Sequence, residues 1–299
     1  MKIVSYNIQF GLGKDSTFDL ERIANEIDGA DIIALQEVER YWLRSGNIDQ
    51  PEVLAKILKN YYWAYGPYFD FDASQARQDG SIKNIRRQFG NMILSKTPII
   101  STRLFPLPKT TQDQRHNMVV GVFEGVIKLA NGGALRIYNA HLSARSKRDR
   151  IKQINLIKNI IKAAPAQGGT WTGHGADDLW AQDGAPPPMP KEFMLLGDFN
   201  LEHKDPEYKH IVRGPDNKGK NNLIEQGFYD TWVISGHQVD EGITFSYDPQ
   251  SSEKSGMRVD YAFVDNLLKN HVKTARIDED AQGSDHQPYW IELSGSFTK

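Results

Sequence analysis

The chain has 299 residues, 36 Lys plus Arg against 38 Asp plus Glu for a formal charge of −2, and no cysteine. The missing cysteine excludes a disulfide framework, a thiolate nucleophile, Cys-ligated zinc and an iron–sulfur cluster. With no net positive field the chain as a whole is poorly equipped for non-specific capture of long nucleic acid, although a local basic groove stays open. An apolar content of 39% is ordinary for a soluble globular protein, and this length buries enough surface to need no cross-links.

Short apolar runs alternate with amphipathic stretches. Lys2–Ile8 reads as a strand, Phe18–Ile27 as a helix with Leu20, Ile23, Ala24 and Ile27 on one face, and Asp31–Gln36 as a buried strand. Pro51 opens a second helix through Leu58, with proline in the favoured first turn. Strands are predicted near Tyr62–Tyr65, Asn91–Ser95, Ile99–Phe105, Val119–Leu129 and Leu135–Ala140, the last two joined by an Asn131-Gly132-Gly133 hairpin turn. Asp149–Lys162 is a strongly amphipathic helix, and Ala163–Lys191, rich in glycine and proline, has no usable period and reads as a functional or irregular loop. Further strands are predicted at Phe193–Leu196, Phe228–Val233, Ile243–Tyr247, Val259–Val264, Val272–Ile277 and His286–Leu293. This order predicts one α/β domain over 1–299 with an insertion at about 163–191, built on stacked sheets with outer helices. No basic n-region precedes the first strand and no apolar run approaches 18 residues. The expectation is a cytoplasmic protein with no transmembrane segment and no obligate protein partner.

The polar residues worth naming close or open apolar strands: Asn7, Glu37, His141, Asp198 with Asn200, Asp260, and Asp285 with His286. Strand ends of a stacked α/β core converge on one rim. Carboxylates with Asn and His, and no Cys, suit a hard divalent cation such as Mg²⁺ or Mn²⁺. Each residue taken alone also fits a turn former or a surface side chain.

Taken in order, the segments Ser5-Tyr6-Asn7-Ile8, Leu35-Gln36-Glu37-Val38, Gly90-Asn91-Met92-Ile93-Leu94-Ser95, Asn139-Ala140-His141-Leu142, Gly197-Asp198-Phe199-Asn200, Arg258-Val259-Asp260-Tyr261 and Gly283-Ser284-Asp285-His286-Gln287-Pro288 span nearly the whole chain. This series resembles the endonuclease/exonuclease/phosphatase superfamily, the deoxyribonuclease-I-like fold. The resemblance implies a four-layered α/β sandwich of two mixed sheets flanked by helices, and hydrolysis of a phosphoester with Mg²⁺ or Mn²⁺. It implies Glu37 as principal metal ligand, with Asn7 supporting the site and Asp285 completing it. His286 would contact the scissile phosphate, with Asp260 fixing its tautomer. Asp198 would orient or deprotonate the attacking water, Asn200 would hold the transition state, and His141 would bind phosphate. Where nuclease branches often carry a further acid, this chain has Gln9, which favours one metal centred on Glu37.

The Asn-x-His-Leu form at His141, with Arg150 and Gln153 on the following helix, looks like the phosphodiesterase and phosphatase branches rather than abasic-site nucleases. The expected substrate is therefore a small-molecule or lipid-derived phosphoester; nucleic acid is the alternative, and a non-catalytic phospho-ligand scaffold the third reading. Arg40, Arg44 and Asn91 are the expected substrate contacts, the two arginines alternatively forming a solvated loop anchored by Trp42. Trp171, His174 and Trp180 either stack on substrate or hold a surface insertion, and Lys147–Lys152 reads as the solvated face of its helix.

Overall fold

The computed structural model describes residues 1–111, 116–173, 184–212, 228–246 and 255–295. Its strands in chain order are β1 (Lys2–Asn7), β2 (Ile32–Arg40), β3 (Tyr62–Asp72), the short pair β4 (Gln75–Ala76) and β5 (Ile82–Lys83), β6 (Arg86–Ser95), β7 (Ile99–Pro106), β8 (Gly121–Lys128), β9 (Ala134–His141), β10 (Phe193–Asp198), β11 (Tyr229–Asp230), the short pair β12 (Phe245–Ser246) and β13 (Gly256–Met257), β14 (Asp260–Val264), β15 (Val272–Ile277) and β16 (Tyr289–Leu293). The helices are α1 (Leu20–Glu26), α2 (Gln50–Ile57), α3 (Lys147–Gln167), α4 (Pro206–Ile211) and α5 (Thr231–Ile234).

Two six-stranded sheets carry the site, one in the order β15-β16-β1-β2-β6-β3 and the other β11-β14-β10-β9-β8-β7. Each is mixed in the same way: a single parallel pair, β1 with β2 or β9 with β10, lies among antiparallel neighbours. Alternation along the strands sorts side chains between two faces. Ile3, Ile32, Ala34 and Ile93 meet Leu135, Ile137, Met194 and Leu196 between the sheets. The intervening positions Val4, Tyr6, Ile33 and Leu35 face Ile23, Ala24 and Ile27 of α1 and Leu54 of α2. On the second sheet's outer face Tyr138, Leu195 and Phe263 cover Ile154, Ile157 and Ile161 of α3 and Ile211 of α4. The result is the expected helix–sheet–sheet–helix stack. Among the described residues no helix is long and apolar enough to cross a membrane.

The inter-sheet core is not wholly apolar. Gln36 Nε2 donates to Asn139 Oδ1 (2.8 Å), and Asn139 Nδ2 donates to the carbonyls of Leu35 (2.9 Å) and Met92 (3.0 Å). Buried polar groups of this kind are tolerable only when partnered, and their directional bonds fix one sheet's offset against the other in a way that greasy contacts do not.

Three expectations change. Residues Phe228–Val233 do not form one strand: Asp230 ends β11 and accepts from Trp232 N (2.9 Å), so the chain turns into α5. Aspartate at that position is a helix start signal, which outweighs the β-branched and aromatic run. The α3 helix begins at Ser146, whose side chain accepts from Asp149 N, and it runs through Pro165 to Gln167 rather than stopping at Lys162. Proline removes the amide that would bond the Ile161 carbonyl; the fully buried Arg136 donates to that oxygen instead (3.0 Å), so the helix continues. In the Lys147–Lys152 segment, Asp149 and Arg150 are buried rather than solvated. Asp149 accepts from Thr110, and Arg150 pairs with Glu207 (3.1 Å) while donating to the Ser143 carbonyl (3.0 Å). With Gln153, which accepts from Ser143 N (3.0 Å), Arg150 secures the turn just beyond His141.

Candidate active site

Both parallel pairs end at the same rim. Asn7 closes β1 and Glu37 follows the matching register of β2; His141 closes β9 directly opposite Asp198, the last residue of β10. Asp260 opens β14 in register with Asp198, and Asp285 and His286 lie in the segment leading into β16.

Two bulges aim the side chains. On β2, Gln36 and Glu37 together oppose the single residue Asn91 of β6, because Leu35 pairs with Met92 and Val38 with Gly90. On the other side of β6, Tyr68 is the extra residue of β3 between Pro67, paired with Gly90, and Phe69, paired with Phe89. An added residue bends its strand and re-aims a side chain. Gly90 sits between the two bulges, where a β-carbon would collide with the Gly66 carbonyl oxygen and lie 2.7 Å from Pro67 Cα. Gly90→Ala is therefore expected to lower unfolding free energy by about 3 kcal/mol, measured by urea denaturation, since backbone cannot yield as a side-chain tip can. Left-handed backbone at Gln9, Phe10, Glu37, Tyr41, Asn47 and Asn200 is concentrated on the three loops around this rim, where strain is commonly stored.

Asp198 Oδ2 is the centre of the cluster. It accepts from Asn7 Nδ2 (3.0 Å) and Asn200 Nδ2 (3.0 Å), and lies 3.6 Å from His141 Nε2 and 3.9 Å from His286 Nε2. Asn7 Nδ2 also donates to Glu37 Oε1 (3.2 Å), and Glu37 Oε1 is 3.8 Å from His141 Nε2. His286 Nδ1 donates to Asp260 Oδ2 (2.8 Å) across 26 residues of sequence.

The two histidines have opposite charge states. Burial opposes a charge on His286, but Asp260, Asp198 and the hydrogen bond to Asp260 outweigh it and lift the ring to about 10, so it is an imidazolium at neutral pH. Burial, helped by the positive His286, pushes His141 down to about 3, so that ring is neutral. Burial raises Asp198 to about 7, where the pull of His286 is offset by the charges of Asp260 and Glu37. Glu37 is also raised by burial, against its hydrogen bond from Asn7.

Donor atoms of Glu37, His141 and Asp198 lie within 4.8 Å of one another, and both acids are raised chiefly by burial. The carboxylate oxygens of Glu37 and Asp198 fit a hard divalent ion. Asp198, Asp260 and His286 form a second grouping at that spacing, but there the His286–Asp260 hydrogen bond accounts for the approach.

Several assignments shift. The Asn7 amide turns its nitrogen to Glu37 and Asp198, while its oxygen accepts from Gln9 N (3.0 Å). Asp285 lies outside the two groupings and accepts from Ser284 Oγ (3.2 Å), though its charge reaches Glu37. The Asn200 amide spends its hydrogens on Asp198 and the Leu142 carbonyl (3.0 Å). Asn91 is fully buried and donates to the Asn139 carbonyl (2.8 Å). Arg40 is held by Asp49 (2.8 Å) and Arg44 by buried Glu39 (2.8 Å), with Arg44 lying over the Phe10 and Trp42 rings. Trp42 anchors this loop by donating to the Gln88 carbonyl (2.7 Å). Trp171 is half-buried; His174 and Trp180 lie outside the described residues.

One participant was not visible beforehand. Tyr68 Oη lies 2.9 Å from His141 Nδ1, in a strand whose many aromatics conceal it.

The family model for the Endonuclease/Exonuclease/phosphatase family matches residues 4–286. The chain belongs to this family. Members of the Endonuclease/Exonuclease/phosphatase family hydrolyse phosphoester bonds and depend on a divalent metal. A curated relative, an exodeoxyribonuclease of Bacillus subtilis (strain 168), is 28% identical over 113 residues; the match spans 34% of this chain and 44% of that protein. The solved endonuclease/exonuclease/phosphatase from Bacteroides vulgatus superposes with a TM-score of 0.67 at 17% identity, covering 99% of this chain and 98% of that one. The endonuclease/exonuclease/phosphatase from Beutenbergia cavernae DSM 12333 gives 0.63 at 19% identity, covering 99% and 72%. At such identities the two structures speak to the fold.

Proposed function

We propose that this member of the family, acting as one catalytic domain over 1–299, hydrolyses a phosphodiester or phosphomonoester of a small or lipid-derived molecule by in-line attack of water. The observation that carries the reading is the pairing of a positive and a neutral imidazole about one carboxylate whose pKa is lifted to about 7. Asp198 is suited to orient the water and take its proton near neutral pH. His286 places a buried positive charge where the phosphate oxygens gain negative charge, and Asp260 keeps that charge in place. His141 adds a neutral donor, and Asn7 and Asn200 keep Asp198 oriented. Glu37, with the Asp198 carboxylate beside it, would hold Mg²⁺ or Mn²⁺, which when bound draws negative charge from the phosphate oxygens.

The choice of a small substrate rests on the rim's cations. Arg40, Arg44 and Arg86 are each paired, with Asp49, Glu39 and Asp70, and the net charge is −2. Binding along a polyanion needs cations free to displace counterions. A second reading, cleavage of DNA or RNA, draws on the exodeoxyribonuclease likeness and on the cluster of Trp42, Phe69 and Phe71 beyond the rim, since bases stack on aromatic faces. Hydrolysis of bis-p-nitrophenyl phosphate and p-nitrophenyl phosphate, with and without Mg²⁺ or Mn²⁺, beside plasmid nicking, separates the two. We expect metal-dependent ester hydrolysis without nicking; efficient nicking with poor turnover of the small esters would establish the nuclease reading instead.

A further inference from the structure

The bulge that re-aims Glu37 has a counterpart in β3, and the residue it re-aims is Tyr68. Its ring is seated over Gly121, where a β-carbon would come within 2.7 Å of Tyr68 Cδ1, and it meets Phe89 and His141 edge-on at 6.0 and 6.3 Å between centroids. The side chain is buried, and its hydroxyl reaches His141 Nδ1 at 2.9 Å. On the far side of the same imidazole, Nε2 faces Asp198 Oδ2 at 3.6 Å and Glu37 Oε1 at 3.8 Å.

A neutral imidazole carries one N–H, and the group bonded to one nitrogen decides what the other presents. If Nδ1 held the proton and donated to Tyr68, the Nε2 lone pair would point at two carboxylate oxygens. If the tyrosine hydroxyl donates to Nδ1, the Nε2 proton points at them. Electrostatics favours the second arrangement, and it is also the one that offers a donor to a phosphate oxygen entering between Glu37 and Asp198.

We propose that Tyr68 is a positioning residue: its hydroxyl donates to His141 Nδ1 and thereby keeps the Nε2–H directed at the reacting phosphate. The proposal rests on the phosphate-binding role given above to His141. It explains why β3 carries an extra residue at this point and why Gly121 leaves the ring its space.

The test uses the full chain with Mg²⁺ present, labelled with ¹⁵N-histidine and examined by long-range ¹H–¹⁵N correlation, with His141→Ala identifying the His141 signals. The expected wild-type pattern is a protonated Nε2 and an unprotonated Nδ1. Tyr68→Phe retains the ring and removes only the hydroxyl. It is expected to shift His141 toward a mixture of tautomers and to lower kcat for bis-p-nitrophenyl phosphate roughly 10- to 100-fold, as loss of an orienting partner does at comparable sites, with KM changing far less. A protonated Nδ1 in the wild type overturns the proposal, and needs no variant to fold. So does a Tyr68→Phe protein whose His141 pattern and kcat match wild type. Loss of turnover in His141→Ala alone, with Tyr68→Phe fully active, overturns the positioning role and leaves the site intact. Full activity in His141→Ala overturns the underlying reading of the site instead.

Discussion

His286→Ala is expected to lower kcat roughly 10³-fold, the scale seen when a preorganised donor to a developing oxyanion is removed. The ring is buried, its Nδ1 proton is committed to Asp260 at 2.8 Å, and its other nitrogen faces the Asp198 hub. The lost charge is the positive one nearest both acids, so the variant also leaves Asp260 buried without its cation, which costs about 3–5 kcal/mol of stability in comparable pairs. Activity is therefore read at a temperature where circular dichroism shows the variant folded. A gentler partner, Asp260→Asn, keeps the shape and removes the largest charge that holds the imidazolium. The sign follows directly. The active form has Asp198 ionised and His286 protonated, so the wild-type rate rises through about 7, holds, and falls on passing about 10, whereas Asp260→Asn brings that fall to lower pH. A kcat profile between pH 6 and 11 measures both; identical basic limbs would remove Asp260 from its assigned role.

Glu37→Gln is expected to abolish measurable turnover, again by roughly 10³-fold or more, while the melting temperature holds or rises. The reasons for the two effects are the same. Burial raises the Glu37 pKa, and the neighbouring Asp285 charge raises it further, so in the folded chain its ionised form is disfavoured until a cation arrives. A neutral amide of the same shape relieves that repulsion but gives Mg²⁺ or Mn²⁺ one charged oxygen fewer. Calorimetric titration with either ion is expected to show weakened binding, and thermal scans unchanged or increased stability. Full turnover with unaltered ion binding would remove Glu37 from the metal centre.

Much of this site could be read from residue order because its members stand where apolar runs stop. Asn7, His141 and Asp198 each end a strand of buried side chains, and such punctuation survives without any structure. Bulges leave no comparable mark. Tyr68 lies in the run Tyr-Trp-Ala-Tyr-Gly-Pro-Tyr-Phe, where several aromatics satisfy the same alternation and only a register slip selects one of them. Ion pairing is equally invisible. Arg44 looks like a free cation beside Glu37 until Glu39, two residues beyond Glu37, is seen to be buried and in need of it. The α3 terminus was misplaced because the remedy for Pro165 comes from Arg136, 25 residues earlier than the Ile161 carbonyl it bonds. Local patterns report where an element wants to end, and tertiary partners decide whether it does.

The pairing of β1 has a consequence for how the enzyme comes into being. One edge of β1 bonds to β2, close in sequence, but the other waits for β16, with Lys2 opposite Glu292 and Ser5 opposite Tyr289. His286 arrives only with that same late segment. A nascent chain emerging from the ribosome can thus assemble the strands bearing Glu37, His141 and Asp198 and still lack the imidazolium and half the bonds that seat Asn7. Contacts of such long sequence separation form slowly and last. The imidazolium therefore joins Glu37, His141 and Asp198 only when the segment leading into β16 has docked between β15 and β1.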